Sequence, residues 1–385
     1  MIVRDVATEA VRSASGVLLD VSHFIHGHPE LGYEEFLSAE VVARAAENAG
    51  FTLERGIASL PTAFRATVGT GDLHIVFCAE YDALPDVGHA CGHNIIAASS
   101  LGAAIGLAAV AHELGLTVTL LGTPSEEGGG GKIDLLKAGY FDGVHAAMMV
   151  HPWPNERLEA TCLAVDHFDV TFTGKEAHAS AAPFEGVNAL DALTIAQVAL
   201  ALLRQQLPPG DQFHGIVVEG GSAANIIPSH VVGRFMARSI TNERLGELRE
   251  RVNACFEAGA LATGALLRIE ELGSPFSHMV SDAAILGHYR DAAEALGRRF
   301  DLDDAGAPRP TISTDMANVS LVVPSIHPLL AIPTHGAVNH QPEFTQACLG
   351  EAADQAVLDG AIALACTAIS VAQDQALRAR LLARS

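Results

Sequence analysis

The sequence predicts a discontinuous α/β domain interrupted by a compact α+β module. Short apolar, strand-like runs alternate with helical segments from residue 62 to residue 154, the pattern of an α/β sheet with parallel strands. Between residues 166 and 275 the order changes to β-α-β-β-α-β, a module of its own. Beyond residue 276 helices and an apolar strand-like segment return, so the first domain resumes. The boundaries read this way are 1–165 and 276–385 for the larger domain and 166–275 for the insert.

Residues 9–50 carry Val, Leu, Ala and Phe at helical spacing and read as helix. TAFRATVG (62–69) and LHIVFCAEY (73–81) read as strands. GHACGHN (88–94) precedes an apolar helix over 95–114, and LTVTLLGTP (116–124) is the next strand. PSEEGGGGK forms a loop before a helix over 132–139, and AAMMVHPWP (146–154) reads as one strand stopped by its prolines. In the insert, DHFDVTFTGK (166–175) is an amphipathic strand and residues 185–207 a long helix. Strands at 215–221 and 230–239, a helix over 242–262 and a strand at 265–272 complete it. A helix, the segment SLVVPSIHPLLAI (320–332) and a final helix over 344–371 close the chain.

A chain of 385 residues with 49% hydrophobic residues can bury two cores. Its formal net charge of −22 argues against nucleic acid and anionic membranes as partners, because like charges repel. Six cysteines without regular spacing suit a reduced, cytoplasmic protein better than a disulfide framework. MIVRDVATEAVRSAS carries acids and does not read as a secretory signal. IIAASSLGAAIGLAAVA (95–111), with a G-x-x-x-G at Gly102 and Gly106, is shorter than the ~20 residues a membrane span needs. It reads as a buried helix whose small residues let neighbours approach.

The polar residues at strand ends carry the chemistry, since ligands of such sheets bind at the carboxyl ends of strands. Cys91 and His93, two residues apart, can turn a thiolate and an imidazole toward one point. Alone, this step fits a buried free cysteine as well as a metal site. Glu126 and Glu127 are adjacent carboxylates that repel unless a cation lies near them. One can bind a metal while the other acts as general base. Alone, the pair fits an exposed loop equally well. No phosphate loop can be drawn through the glycines, because Ile133 follows Lys132. His151 and His340 extend the set to Cys91, His93, Glu127, His151 and His340, one donor more than a tetrahedral zinc takes, so two metals sharing a bridge are expected. Asp82 would accept an imidazole N–H and fix its tautomer. In the insert, His178, Asn225 and Arg238 offer an imidazole, an amide and a guanidinium suited to an oxyanion and a carboxylate.

Eight stretches, FIHGHPELGYEE (24–35), EYDALPDVGHACGHN (80–94), GTPSEEGGGGK (122–132), MVHP (149–152), GKEAHAS (174–180), ANIIPSH (224–230), STDMANVS (313–320) and NHQPEF (339–344), occur in order along the chain. In this the chain resembles the aminoacylase and carboxypeptidase family of two-metal metallopeptidases, peptidase family M20. It is most similar to the amidohydrolase branch, near the aminobenzoyl-glutamate hydrolases and the dipeptidases that remove basic residues. Hippurate-type members carry Asp where this chain has Asn94, which favours that sub-branch.

The resemblance implies a zinc-peptidase-like catalytic domain, a mixed sheet flanked by helices, and an inserted ferredoxin-like lid that also dimerises. It implies Cys91 as bridging thiolate, His93, Glu127, His151 and His340 as terminal ligands, and Glu126 as general base. His178 and Asn225, with Arg238 on a lid strand, would reach the substrate, in relatives from the partner subunit of a dimer. The implied cofactors are two divalent ions per subunit, Zn²⁺ first and Mn²⁺, Co²⁺ or Ni²⁺ as alternatives. The implied reaction is hydrolysis of N-acyl amino acids, aminobenzoyl-glutamate-like conjugates or dipeptides to release an amino acid. A catalytically silent binding protein on the same fold is the alternative, and a single structural zinc site is a third reading.

Overall fold

The computed structural model describes residues 2–300 and 311–384. The chain forms two compact units, one of Met1–Thr161 with Met279–Ser385 and the other Cys162–His278. The larger unit thus breaks at Thr161 where the sequence placed 165, and resumes at Met279 where it placed 276.

Three helices open the larger unit, α1 (Val3–Ser13), α2 (Ser15–Gly27) and α3 (Phe36–Asn48), where the sequence suggested one continuous helical stretch. The strands β1 (Thr52–Arg55), β2 (Phe64–Val68), β3 (Leu73–Ala79), β4 (Leu116–Gly122) and β5 (Ala146–Met148), with Ser325–Ile326, form one six-stranded sheet. Its order is β1-β2-β4-β3-β5 followed by Ser325–Ile326. The pairs β3–β4, β3–β5 and β5 with Ser325–Ile326 are parallel, but β1–β2 and β2–β4 are antiparallel. The sheet is therefore mixed, as the resemblance implied: the strand–helix alternation accounts for its parallel pairs, and β1 and β2 add antiparallel ones. The cause lies in the connections: no crossover helix separates β1 from β2 or β2 from β3, so the chain reverses there. AAMMVHPWP is likewise two strands, β5 and β6 (His151–Trp153), the latter paired in parallel with Leu329–Ala331.

Between β3 and β4 lie α4 (His93–Ala108) and the short α5 (Ala111–Leu114). Helix α4 is buried on nearly every side, so its glycines set the packing distance. A Cβ on Gly102 would come within 2.7 Å of the Ala361 side chain, and one on Gly106 within 2.7 Å of Val11. Helix α6 (Gly131–Lys137) follows β4. The order ends with α7 (Ala189–Arg204) and α8 (Asn242–Thr263) in the smaller unit, then α9 (Ala283–Ala295), α10 (Met316–Ser320), α11 (Pro342–Ala347), α12 (Glu351–Gln373) and α13 (Gln375–Leu382). Helix α12 is long and apolar enough to cross a membrane, yet 89% of its most apolar window is buried within the protein, against α4, α1 and α9.

The smaller unit is a four-stranded antiparallel sheet in the order Leu266–Glu271, Ala164–Thr173, His230–Ser239, Gln212–Glu219. Phe168, Phe172, Phe213 and Phe235 point from its strands onto Phe256 and the other apolar side chains of α7 and α8. Asn188 accepts from the Leu190 and Asp191 amides and starts α7 later than residue 185, while Thr241 caps α8 through Arg244 N. This is the ferredoxin-like β-α-β-β-α-β arrangement.

Candidate metal and catalytic centre

Four strand ends of the larger unit deliver the polar residues. Glu80 and Asp82 follow β3 directly, and the chain then turns through Leu84–Gly88 to Cys91, Gly92 and His93 at the start of α4. Gly92 has φ +72°, and a Cβ there would meet Pro152 Cγ at 2.8 Å, so Cys91 and His93 converge only across a glycine. Glu126 and Glu127 follow β4. His151 opens β6 rather than closing the strand before it. His340, with φ +72°, is held by its backbone N–H on Ala90 O at 3.0 Å.

These residues form donor groups. Cys91, His93 and His151 bring ligand atoms within 4.8 Å of one another, and so do Cys91, Glu127 and His340. Cys91 belongs to both. Asp82 accepts from His93 Nδ1 at 2.9 Å and, through its other oxygen, from Glu127 N at 2.9 Å. One carboxylate thus orients a member of each group. With Nδ1 donating to Asp82, His93 Nε2 is the atom that would offer a lone pair to a metal, and it lies 3.7 Å from Glu127 Oε1 and 3.8 Å from Glu126 Oε2. His151 Nδ1 donates to Pro152 O at 2.9 Å, leaving its Nε2 free in the same way.

The electrostatics favour a cation. Burial and the neighbouring Glu80 and Glu127 push the Glu126 carboxyl well above the carboxylate range. Burial and His327 lower His151 to about 3, keeping the neutral imidazole a metal requires. His93 Nε2 and Glu127 Oε1 are buried without a hydrogen-bond partner among the described residues. Unpartnered imidazole and carboxylate atoms beside a buried thiol suit divalent transition metals.

Several residues at the site have no sequence signal of their own. Glu35 is fully buried, its carboxyl raised to about 7 by burial and Asp82, and its Oε1 accepts Ser125 N at 2.7 Å. Ser125 has φ +56°, a conformation a non-glycine residue keeps only when its surroundings hold it. Glu35 thereby fixes the turn that presents Glu126. Glu35→Ala should leave metal content unchanged and lower kcat by about 10–100-fold, because misplacing a reacting group by ~1 Å costs that much. Unchanged kcat in a folded variant would remove Glu35 from this role. Lys132, Asp315 and His327 are also buried beside the site. For Lys132 a signal does exist in GGGGK, but the run fails as a phosphate loop and its lysine turns inward instead.

His89 is buried near the His26 ring and belongs to neither donor group. Asn94 donates to Ser22 Oγ at 2.9 Å and to Cys348 O at 3.0 Å, a structural tie at the start of α4.

The remaining sequence candidates belong to the smaller unit. His178 Nδ1 accepts the Ser180 and Ala181 amides at 3.3 and 3.2 Å, so its outward nitrogen, Nε2, carries the proton. Asn225 lies in the same turn system, its carbonyl accepting Ala179 N at 3.0 Å. Arg238 is half-buried on strand His230–Ser239, its Nε donating to Met236 Sδ, and burial lowers its pKa.

A family model for a peptidase dimerisation domain matches residues 165–263. The chain is 39% identical over 384 residues to the Xaa-Arg dipeptidase of Mus musculus, covering 95% of this chain and 88% of that protein. It is 33% identical over 265 residues to one of the p-aminobenzoyl-glutamate hydrolase chains of Escherichia coli, covering 63% of this chain and 55% of that one. A dinuclear metal binding peptidase of the M20 family from Bacillus subtilis shares the fold, with TM-score 0.72 at 21% identity over 94% of this chain and 99% of that one. The donor chemistry of the larger unit and the likeness along nearly the whole chain agree: the protein belongs to the M20 family of metallopeptidases and is a metal-dependent amidohydrolase.

Proposed function

We propose that the protein hydrolyses dipeptides and N-acyl amino acids with two divalent ions per subunit, releasing the C-terminal amino acid. The observation that carries this is the pair of donor groups sharing Cys91, with Glu126 beside them. In this reading Cys91 is the shared donor, His93 and His151 complete one group, and Glu127 and His340 the other. Zn²⁺ is the first candidate, and Mn²⁺, Co²⁺ and Ni²⁺ suit the same donors.

When bound, such ions would polarise the scissile carbonyl and lower the pKa of a water toward neutrality. Glu126 would serve as the base that takes a proton from the attacking water and passes it to the leaving nitrogen. Asp82 holds the His93 tautomer and the Glu127 backbone, so both groups keep their geometry through the reaction. His178 is assigned as a donor to the developing oxyanion, through the Nε2–H that its Nδ1 contacts select. Asn225 and Arg238 are assigned to the substrate's carbonyl and carboxylate.

Likeness to Xaa-Arg dipeptidases supports dipeptides with a C-terminal basic residue as the leading substrates. The test is a panel of Xaa-Arg and Xaa-Lys dipeptides, aminobenzoyl-glutamate and N-acetyl amino acids, each supplied with Zn²⁺, Mn²⁺ or Co²⁺. Metal-dependent release of the amino acid, fastest from a basic dipeptide, is expected. Release from none of them with any metal would instead favour a silent homologue.

A homodimer through the smaller unit is part of the same proposal. Strand Gln212–Glu219 is a sheet edge with Ile216, Val217 and Val218 exposed, and α7 exposes Val198 and Leu202. Arg204 of α7 lies over the Phe213 ring of that strand, 4.2 Å from its centroid. An open apolar edge invites strand pairing, and a second copy satisfies it symmetrically. The parent should run as a dimer in light scattering, and Val198→Asp with Val217→Asp as a folded monomer, since each unpaired buried charge costs about 3–5 kcal/mol. A dimer unaffected by both changes would place the interface elsewhere.

A further inference from the structure

We propose that Glu80 is a sixth protein donor to the metal site, on the His93 side, held in place by Lys132 and Asp315. The proposal rests on the reading of His93 as a ligand and adds a residue that neither the spacing nor the resemblance assigned.

Glu80, Lys132 and Asp315 are all fully buried. Lys132 Nζ donates to Glu80 Oε1 at 2.6 Å and to Asp315 Oδ1 at 2.5 Å, while Lys132 N donates to Asp315 Oδ2 at 2.9 Å. Every oxygen of Asp315 and one oxygen of Glu80 are thus satisfied. Glu80 Oε2 has no hydrogen-bond partner among the described residues, although it is completely enclosed.

That oxygen lies 3.6 Å from His93 Nε2, which is equally buried and unpartnered. Burial lowers the His93 pKa, but Asp82, Glu80 and Glu127 hold it well above the imidazole range, so without metal a proton on Nε2 faces this oxygen. In the neutral form a metal ligand needs, two acceptors face each other across a short buried gap. Those two acceptors are stable together only with a positive charge between them, the proton in the metal-free protein or a metal ion that displaces it. Donors at ~2.1 Å from a tetrahedral ion stand about 3.4 Å apart, close to the spacing seen. Glu80, His93 and Glu126 indeed form a third donor group within 4.8 Å. Charge counting agrees. One ammonium faces two carboxylates in the cluster, which leaves one negative charge over, and the oxygen without a donor is the one that faces His93. A purely structural strut would spend both oxygens of Glu80 on Lys132 or a neighbour, as Asp315 does.

The test is a metal titration of stripped protein against a chromophoric chelator, with Zn²⁺ for affinity and Co²⁺ for its visible spectrum. The parent should bind two ions. Glu80→Gln should hold one with parent affinity and the other about 10–100-fold more weakly, with a changed Co²⁺ spectrum at that site. Glu80→Asp keeps the charge and the Lys132 contact but withdraws the oxygen, and should weaken the same single ion, covering the case in which the Gln variant does not fold. Asp315→Asn removes a charge on the far side of Lys132 and should leave both affinities within a few-fold. Two ions bound with parent affinity and an unchanged Co²⁺ spectrum in both Glu80 variants would overturn the proposal while leaving the two-metal reading intact. Equal weakening by Asp315→Asn would overturn it as well, because the effect would then be charge alone. A parent that binds fewer than two ions would defeat the two-metal reading itself.

Discussion

Glu126→Gln should retain both metals and lose about 10²–10⁴-fold in kcat, the contribution a positioned general base makes. The glutamine keeps the volume and one oxygen of the side chain but cannot accept a proton. Glu126 is nearly buried, and its Oε2 lies 3.8 Å from His93 Nε2, at the edge of the donor groups. Glu127, one residue later, is tied by its backbone to Asp82 and paired toward His340 at 3.6 Å. The two adjacent carboxylates are thus differentiated by their surroundings, one toward a ligand's role and one toward a base's. A steady-state comparison on any accepted amide, with elemental analysis of the same sample, reads the effect. Near-parent turnover would remove Glu126 as the base. Loss of a metal with the turnover would make it a ligand instead.

Cys91→Ala should abolish stoichiometric binding of two ions and reduce turnover to the background. Cys91 joins the His93–His151 group to the Glu127–His340 group and is the one donor common to those two, while His93 is shared instead with the Glu80–Glu126 group. Its thiol is buried, and burial together with Glu127 pushes the thiol pKa up strongly. In the metal-free protein Cys91 is therefore held as the thiol, and metal uptake must release its proton. Proton release on adding metal, followed with a weak buffer and a pH indicator, should be present in the parent and smaller in the variant. Two ions bound by Cys91→Ala with parent affinity would refute the shared-donor role.

How much of this could be read from sequence follows from which contacts are local. The α/β character, the inserted module and the strand at 230–239 were legible because each rests on short-range periodicity. The direction of β2 and the split of AAMMVHPWP were not, since pairing partners are chosen by neighbours far along the chain. The same division holds at the site. Cys91, His93, Glu126 and Glu127 announce themselves by spacing, and His151 and His340 by their place at loops. Glu35 acts through Ser125, and Asp315 through Lys132, across separations of 90 and 183 residues. No local pattern marks such pairs. Even Glu80, two residues before Asp82, reads as part of a strand until its orphaned oxygen is placed beside His93.

The central claim is that hydrolysis depends on two ions held around Cys91. Its most direct test is activity against added Zn²⁺ or Mn²⁺ equivalents in protein stripped by a chelator, using a Xaa-Arg dipeptide and counting bound metal in the same samples. The account predicts no hydrolysis without metal and full activity only at two equivalents per chain. Hydrolysis by the metal-free protein, or full activity with a single ion bound, would contradict it.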